Sequence, residues 1–374
     1  MRRGLLAPLA LLASFAATAE GILPWAAPVS AAALEREERN LWAEAEAFDK
    51  ALARSGRLRA DPALNAYLQG VLDKLYPEFD GKVRIRAIDS NQLNAFALPN
   101  GSLYINTGLL ARLQNEAQLA TVLAHEGAHF VHRHSFQQSE HVKNVAAFAL
   151  VVGLAGVPVV GNVVALTSMS GFSREHETEA DNIGYQRLLA AGYAASEAPK
   201  TFEHLIAEIK ALEINEPFFF ASHPKLQDRV DSLTELSRGA GNGEVGHEPY
   251  VMAIRAVRLF ALQEDLDAYR YKQLILVLSD PERRREYPPE ASFYLGEAYR
   301  LRNQDGDLER AEREYTLSVE LAPTFAPAYR ALGLLHYRRQ AKSLAAPLFK
   351  RYLELAPAAA DREYIETYLK DTLS

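Results

Sequence analysis

Leu34, Leu41, Ala45 and Phe48 follow one another at steps of seven, four and three, which predicts a helix over residues 33–55. Asp61-Pro62 reads as the start of a second helix, with Asp61 as the cap and Pro62 at the first helical position. Leu64, Tyr67, Leu68, Val71, Leu72 and Leu75 supply its apolar side. The period then changes. Val83, Ile85 and Ala87 alternate with Arg84 and Arg86, the pattern of a strand with one wet face. Leu93 to Leu98 is a second extended segment, ended by Pro99-Asn100-Gly101, and Leu103 and Ile105 flank Tyr104 in a third. Together they predict a small antiparallel sheet.

Asn115 and Gln118 have the spacing of a capping box, and Leu119, Val122, Leu123, Phe130 and Val131 continue at helical spacing. Further helices are expected over about 173–190, over 198–212 and from about 225. Gly239, Gly241, Gly243 and Gly246 punctuate 239–246, the best boundary in the chain. Beyond it a pattern recurs. Leu295-Gly296, Tyr299, Ala311, Tyr315 and Pro323 form one set, and Leu332-Gly333, Ala345, Phe349 and Pro357 form a second. The second set has tetratricopeptide spacing, and the first carries about three extra residues near Asp305-Gly306-Asp307. Two units are fewer than such a stack needs alone, so 247–285 and 361–372 are expected to supply flanking helices, or the repeats lean on the preceding domain.

The 374 residues fit two or three domains, and 48% hydrophobic residues against 24% charged ones exclude global disorder. A formal charge of -7 and no basic arm argue against nucleic acid as a partner. Cysteine is absent, which excludes disulfides, thiolate metal sites and a cysteine nucleophile. Any metal must be held by histidine and carboxylates. At the N-terminus, Arg2 and Arg3, an apolar run from Leu5 to Ala16 and Ala17-Thr18-Ala19 read as a secretory signal peptide over 1–19. A retained membrane anchor is the alternative.

The chemistry centres on His125-Glu126-Gly127-Ala128-His129. On a helix, residues four apart share a face, so both imidazoles can grip one ion. Glu126 sits beside them, placed to take a proton from an attacking water. Zinc needs a third protein ligand. Ser173 to Asp181 offers Glu177 and Asp181, which share a helix face: one can bind the ion while the other accepts a hydrogen bond from a ligand histidine. His176 is a rival ligand, while Glu175 and Glu179 are expected to be solvated.

These two motifs, with Asn94-Ala95-Phe96-Ala97-Leu98-Pro99-Asn100-Gly101 and Ser222-His223-Pro224, make the sequence resemble the M48 family of zinc metallopeptidases, in particular periplasmic members with C-terminal tetratricopeptide repeats. The resemblance covers about 50–235 for the peptidase and 285–360 for the repeats. It implies an α+β chain: a mostly helical zincin domain of the gluzincin type with a small antiparallel sheet, then an all-α repeat domain. The expected division is 1–19 signal peptide, 20–238 peptidase, 239–246 linker and 247–374 repeats. The resemblance makes His125, His129 and Glu177 the ligands of one zinc ion, Glu126 the general base and Asp181 the partner of His125. It places His223 near the metal, with three roles open: a fourth ligand closing the resting site, a donor to the developing oxyanion, or the cap of the following helix.

The expected function is cleavage of unfolded or misassembled envelope proteins in the periplasm. Asn94, Ala95, Phe96, Ala97 and Leu98 would pair with an extended substrate by edge addition, which reads backbone more than side chain. The repeats would recruit substrate or outer-membrane assembly machinery. The alternative is a periplasmic chaperone or binding module with a latent peptidase site. The uncharged stretch 145–172, broken by Gly153, Gly156, Pro158 and Gly161, is read as a buried pair of short helices or as an apolar loop making peripheral membrane contact.

Overall fold

The computed structural model describes residues 36–79, 81–141, 172–213 and 226–373. The expectations for 1–19, for 145–171 and for His223 lie outside the described residues. Helix α1 (Arg36–Arg54) and helix α2 (Pro62–Leu75) open the fold. Asp61 caps α2 by accepting from Leu64 N at 3.0 Å, the role its side-chain oxygen suits. Strands β1 (Arg84–Ile88), β2 (Ala95–Ala97) and β3 (Ser102–Asn106) follow.

The sheet order is β1-β3-β2. The β2–β3 pair is antiparallel, as expected, but β1 pairs with β3 in parallel, so the sheet is mixed. Burial explains the order. β3 is buried along its whole length and takes the centre, whereas β1 keeps Arg84 and Arg86 exposed and lies at an edge. The turn at 98–101 folds β2 back against one side of β3, which leaves β1 the other side. Gly101 closes that turn at φ 81, and a Cβ there would meet Lys82 O at 2.7 Å. Helix α1 covers one face of the sheet through Leu41, Ala45, Phe48 and Leu52. Its Asp49 accepts from Asn100, Ser102 and Tyr104 at 2.6–2.8 Å.

The other face packs into the main core with helices α3 (Thr107–Arg112) and α4 (Glu116–Val131). Helix α5 (His134–His141) turns off the end of α4. Then come α6 (Arg174–Ala190), α7 (Glu197–Leu212) and α8 (Leu226–Leu236). Helix α4 is buried over nearly its whole length. Asn115 caps it, accepting from Gln118 N at 2.9 Å. Its first two amides are taken from outside the helix: Glu116 N donates to Gly246 O at 3.3 Å and Ala117 N to Val245 O at 3.0 Å. The glycine-rich stretch therefore grips the start of α4. Gly243 passes so close to Tyr193 that a Cβ would meet the Tyr193 carbonyl oxygen at 2.3 Å.

Helices α9 (His247–Ala253) and α10 (Arg255–Asp267) continue the main core through Tyr250, Ile254, Val257 and Ala261. Arg112 of α3 is buried between Glu208 of α7 (3.0 Å) and Asp265 of α10 (2.8 Å). Helices α11 (Tyr271–Ser279) and α12 (Pro281–Arg284) follow, and Arg283 reaches the same Glu208 at 2.7 Å.

The rest is a helical, repeat-like region. Helices α13 (Ala291–Arg302) and α14 (Asp307–Leu321) form one hairpin, α15 (Ala326–Arg338) and α16 (Lys342–Leu355) a second, and α17 (Arg362–Leu373) packs on the last. The repeated glycines have a steric reason. A Cβ at Gly296 would meet the Tyr315 ring at 2.6 Å, and one at Gly333 the Phe349 ring at 2.8 Å. The first hairpin turns over 303–306 and the second over 339–341, so part of the insertion lengthens the turn.

Candidate metal centre

His125 and His129 lie four apart on α4, and Glu177 faces them from α6. All three are buried. His125 Nε2 is 3.0 Å from His129 Nε2 and 3.6 Å from Glu177 Oε2, and His129 Nε2 is 3.5 Å from Glu177 Oε1. Ligands about 2.05 Å from a tetrahedral zinc ion lie roughly 3.3 Å from one another. The observed triangle brackets that value, so the donor set fits one zinc ion.

Helix α6 meets α4 along Glu177, Ala180, Asp181, Gly184 and Leu188, a buried stripe at helical spacing. Ser173 caps it, accepting from His176 N at 3.2 Å. Gly184 allows the close approach: a Cβ there would lie 3.0 Å from His125 N. Gly127, inside the His-Glu-x-x-His motif, has the Tyr76 ring against it at 2.2 Å from a would-be Cβ. Tyr76 donates to Ala124 O, which fixes that ring on the metal-bearing helix.

Asp181 Oδ1 lies 2.9 Å from His125 Nδ1. Arg229, on α8, donates to both oxygens of Asp181, at 2.7 Å for the shortest contact. Its Nη2 is also 3.0 Å from His125 Nδ1. Two donors do not bond each other. With Nε2 directed at the Glu177 side, the Nδ1 proton goes to Asp181, and so do the guanidinium hydrogens. Burial, and next the Arg229 charge, push His125 down to about 4, so its imidazole stays neutral and able to ligate. Burial opposes the ionisation of Asp181, but Arg229 and the His125 hydrogen bond outweigh it and hold the carboxyl below its usual range.

Glu126, adjacent to His125 on α4, is 2% exposed. Asn94 to Leu98 lies in and around β2, an edge strand packed against α4. Asn94 O accepts from Asn106 N at 2.9 Å, and Leu98 N donates to Ser102 O at 2.8 Å. His176 is not in the triangle: its Nε2 lies 2.9 Å from Gln137 Oε1. Glu175 is exposed, as expected. Glu179 is half exposed, yet it meets His132 Nδ1 at 2.8 Å and His134 Nε2 at 3.4 Å. It is engaged where simple solvation was expected.

Sequence reasoning missed Arg229 and His134. Arg229 left a readable signal, because it interrupts the apolar face made by Leu226, Val230 and Leu233. His134 Nδ1 stands 2.9 Å from His129 Nδ1, a contact that depends on the turn after α4 and has no signature in spacing.

The described structure is thus a mostly helical domain with a small sheet and a buried His/His/Glu cluster able to hold a metal ion, followed by a repeat-like helical region. Residues 58–237 match the model of Peptidase family M48. The chain is 29% identical over 210 residues to the putative beta-barrel assembly-enhancing protease of Vibrio cholerae, covering 52% of this chain and 43% of that protein. It is 26% identical over 199 residues to the beta-barrel assembly-enhancing protease of Escherichia coli K12, covering 49% and 41%. It is 39% identical over 114 residues to the mitochondrial metalloendopeptidase OMA1 of Arabidopsis thaliana, covering 30% and 24%. The chain therefore spans less than half the length of these relatives. Among the described residues no helix is long and apolar enough to cross a membrane.

Proposed function

We propose that this chain is a zinc-dependent endopeptidase that cleaves unfolded or misassembled envelope proteins in the periplasm. The observation that carries the reading is the triangle of His125, His129 and Glu177 donors beside the buried Glu126. Zinc, when bound there, would supply Lewis-acid polarisation of the scissile carbonyl and of the attacking water. Glu126 accepts the proton of that water and returns it to the leaving amine. Asp181 and Arg229 keep His125 neutral and oriented. Strand β2, at the sheet edge, offers its backbone to an extended substrate. By the resemblance, His223 would act at the same site as a ligand or an oxyanion donor, with capping of the following helix as the alternative.

The proposed division is signal peptide 1–19, peptidase 20–238, linker 239–246 and tetratricopeptide-like repeats 247–374, with α9 and α10 at the start of the last part packed into the peptidase core. The repeats would recruit substrate or outer-membrane assembly machinery; two of the relatives are named for beta-barrel assembly. A cleft of about 430 Å³ lined by Phe293, Arg300, Arg330, Leu334 and Arg338 suits that role. The test is cleavage of an unfolded protein before and after chelation. Activity lost with the metal and restored by zinc supports the reading, and cleavage indifferent to chelation contradicts it. If the cellular function survives Glu126→Gln while hydrolysis is lost, a chaperone or binding role takes precedence.

A further inference from the structure

Next to the His125–His129–Glu177 triangle lies a second group of ligand-type side chains. His132 closes α4, His134 opens α5 and Glu179 faces both from α6, with one donor atom from each within 4.8 Å of the others. The backbone brings the two histidines together. Arg133, between them, adopts φ 55, a left-handed conformation, and its guanidinium is anchored on Glu38. His132 Nδ1 is 2.8 Å from Glu179 Oε1, and His134 Nε2 is 3.4 Å from Glu179 Oε2. The His134 side chain is fully buried, and its Nε2 makes no well-aligned hydrogen bond among the described residues. That nitrogen is aimed at the carboxylate. The ring is held from behind by His176, stacked at 4.4 Å and 14°. Glu179 opens to solvent along a surface pocket with Arg174, Thr178 and Ile183, which gives an ion a way in.

We propose that His132, His134 and Glu179 form a second, weaker zinc site, and that an ion there opposes the one at His125, His129 and Glu177. The proposal rests on the zinc reading of the first site. Two imidazole nitrogens and a carboxylate, with one side open, are a zinc donor set.

The opposition follows from counting protons. His129 Nδ1 and His134 Nδ1 are 2.9 Å apart, so one proton lies between them. A neutral imidazole carries one proton and one lone pair. When His129 gives its Nε2 lone pair to zinc, its proton is on Nδ1 and is donated to His134 Nδ1. The proton of His134 is then on Nε2, facing Glu179, where no lone pair remains for a second ion. An ion on His134 Nε2 reverses this arrangement and leaves the proton of His129 on Nε2. With both ions bound, either two N–H groups face each other at that distance or one proton leaves. Glu179, His134 and His129 are therefore coupled through tautomer choice.

The experiment uses the full chain, zinc chloride as the probe, and two readouts: bound zinc per chain by equilibrium dialysis with elemental analysis, and cleavage of an unfolded protein. The wild type is expected to bind a second ion at least roughly tenfold more weakly than the first, with cleavage falling as it binds. His132→Ala touches neither His129 nor the first site. It is expected to keep one ion and full cleavage at stoichiometric zinc, and to need at least tenfold more zinc for inhibition. A wild type that stops at one ion overturns the proposal, as does a His132→Ala protein that binds two or is inhibited at the same zinc. If His125→Ala leaves the tight ion in place, the first-site reading fails on its own. His132→Ala still decides the second site, because it must remove the weaker ion.

Discussion

Arg229 donates to Asp181 at 2.7 Å, and through that carboxylate it governs His125, whose Nδ1 lies 2.9 Å from the same oxygen. Neither residue need touch the metal, yet together they set which nitrogen of His125 is free. Removing Arg229 leaves Asp181 buried and uncompensated, which frees its carboxylate to take up a proton. We expect Arg229→Met to weaken zinc binding by roughly 10- to 100-fold, the usual cost of losing a group behind a ligand. Competition with a chromophoric chelator measures it. Unchanged affinity in a folded variant would show that Asp181 orients His125 unaided.

Asp181→Asn separates charge from shape. The amide can still accept from His125, but it no longer neutralises Arg229, a buried cation with two further acidic neighbours in Glu177 and Glu126. Asp181 raises the His125 pKa, so without its charge the imidazole stays neutral to lower pH. We expect zinc binding to depend less on pH than in the wild type, with at least a tenfold loss of affinity at neutral pH. Equal binding curves across pH would contradict the account of this pair.

Gly184 sets the distance between the two helices that carry the His/His/Glu cluster. A Cβ there would lie 3.0 Å from His125 N, tighter than most real contacts, so α4 would have to give way. Gly184→Val should push α6 away from α4, separating Glu177 from the histidines. The expected result is loss of zinc affinity together with destabilisation of about 1–3 kcal/mol. Thermal melts with and without zinc check both, and a variant that melts and binds zinc like the wild type would refute the packing argument.

Glu208 gives the fold a pH limit. Burial opposes its charge, but Arg112 and Arg283 outweigh that and bring it from 4.5 down to about 2. A depressed carboxylate stabilises the fold above its unfolded value, and that stability is lost as pH falls from 4.5 toward 2. The contribution is on the order of 3 kcal/mol. Asp265 and Gln273 share the cluster, which ties α3 and α7 to the helices after the glycine-rich stretch. Glu208→Gln should be less stable than the wild type at pH 7, with the gap closing between pH 4.5 and 2. Denaturant melts across that range measure the gap, and a constant one would contradict the assignment.

How much of this could be read from the sequence depended on whether a feature was local. Asp61 and Asn115 cap helices through bonds to residues three further on, so local residue type and spacing revealed them, while the Ser173 cap was not read from the sequence. The His125–His129 pair was legible from the i, i+4 spacing of α4, which left Glu177 and Asp181 both open as the third ligand. The resemblance chose Glu177, and the structure places it against both imidazoles. The direction of β1 was not, since parallel or antiparallel pairing depends on which side of β3 remains open. The grip of 243–246 on α4 is made by backbone carbonyls, which leave no trace in residue type. The place of His134 behind His129 depends on the left-handed Arg133, a conformation rarely expected of arginine.

The most direct measurement of the central claim is cleavage of an unfolded protein by the zinc-loaded wild type and by Glu126→Gln carrying the same amount of zinc. The account predicts equal metal content and at least a roughly 100-fold loss of rate in the variant. Equal rates at equal zinc would contradict it.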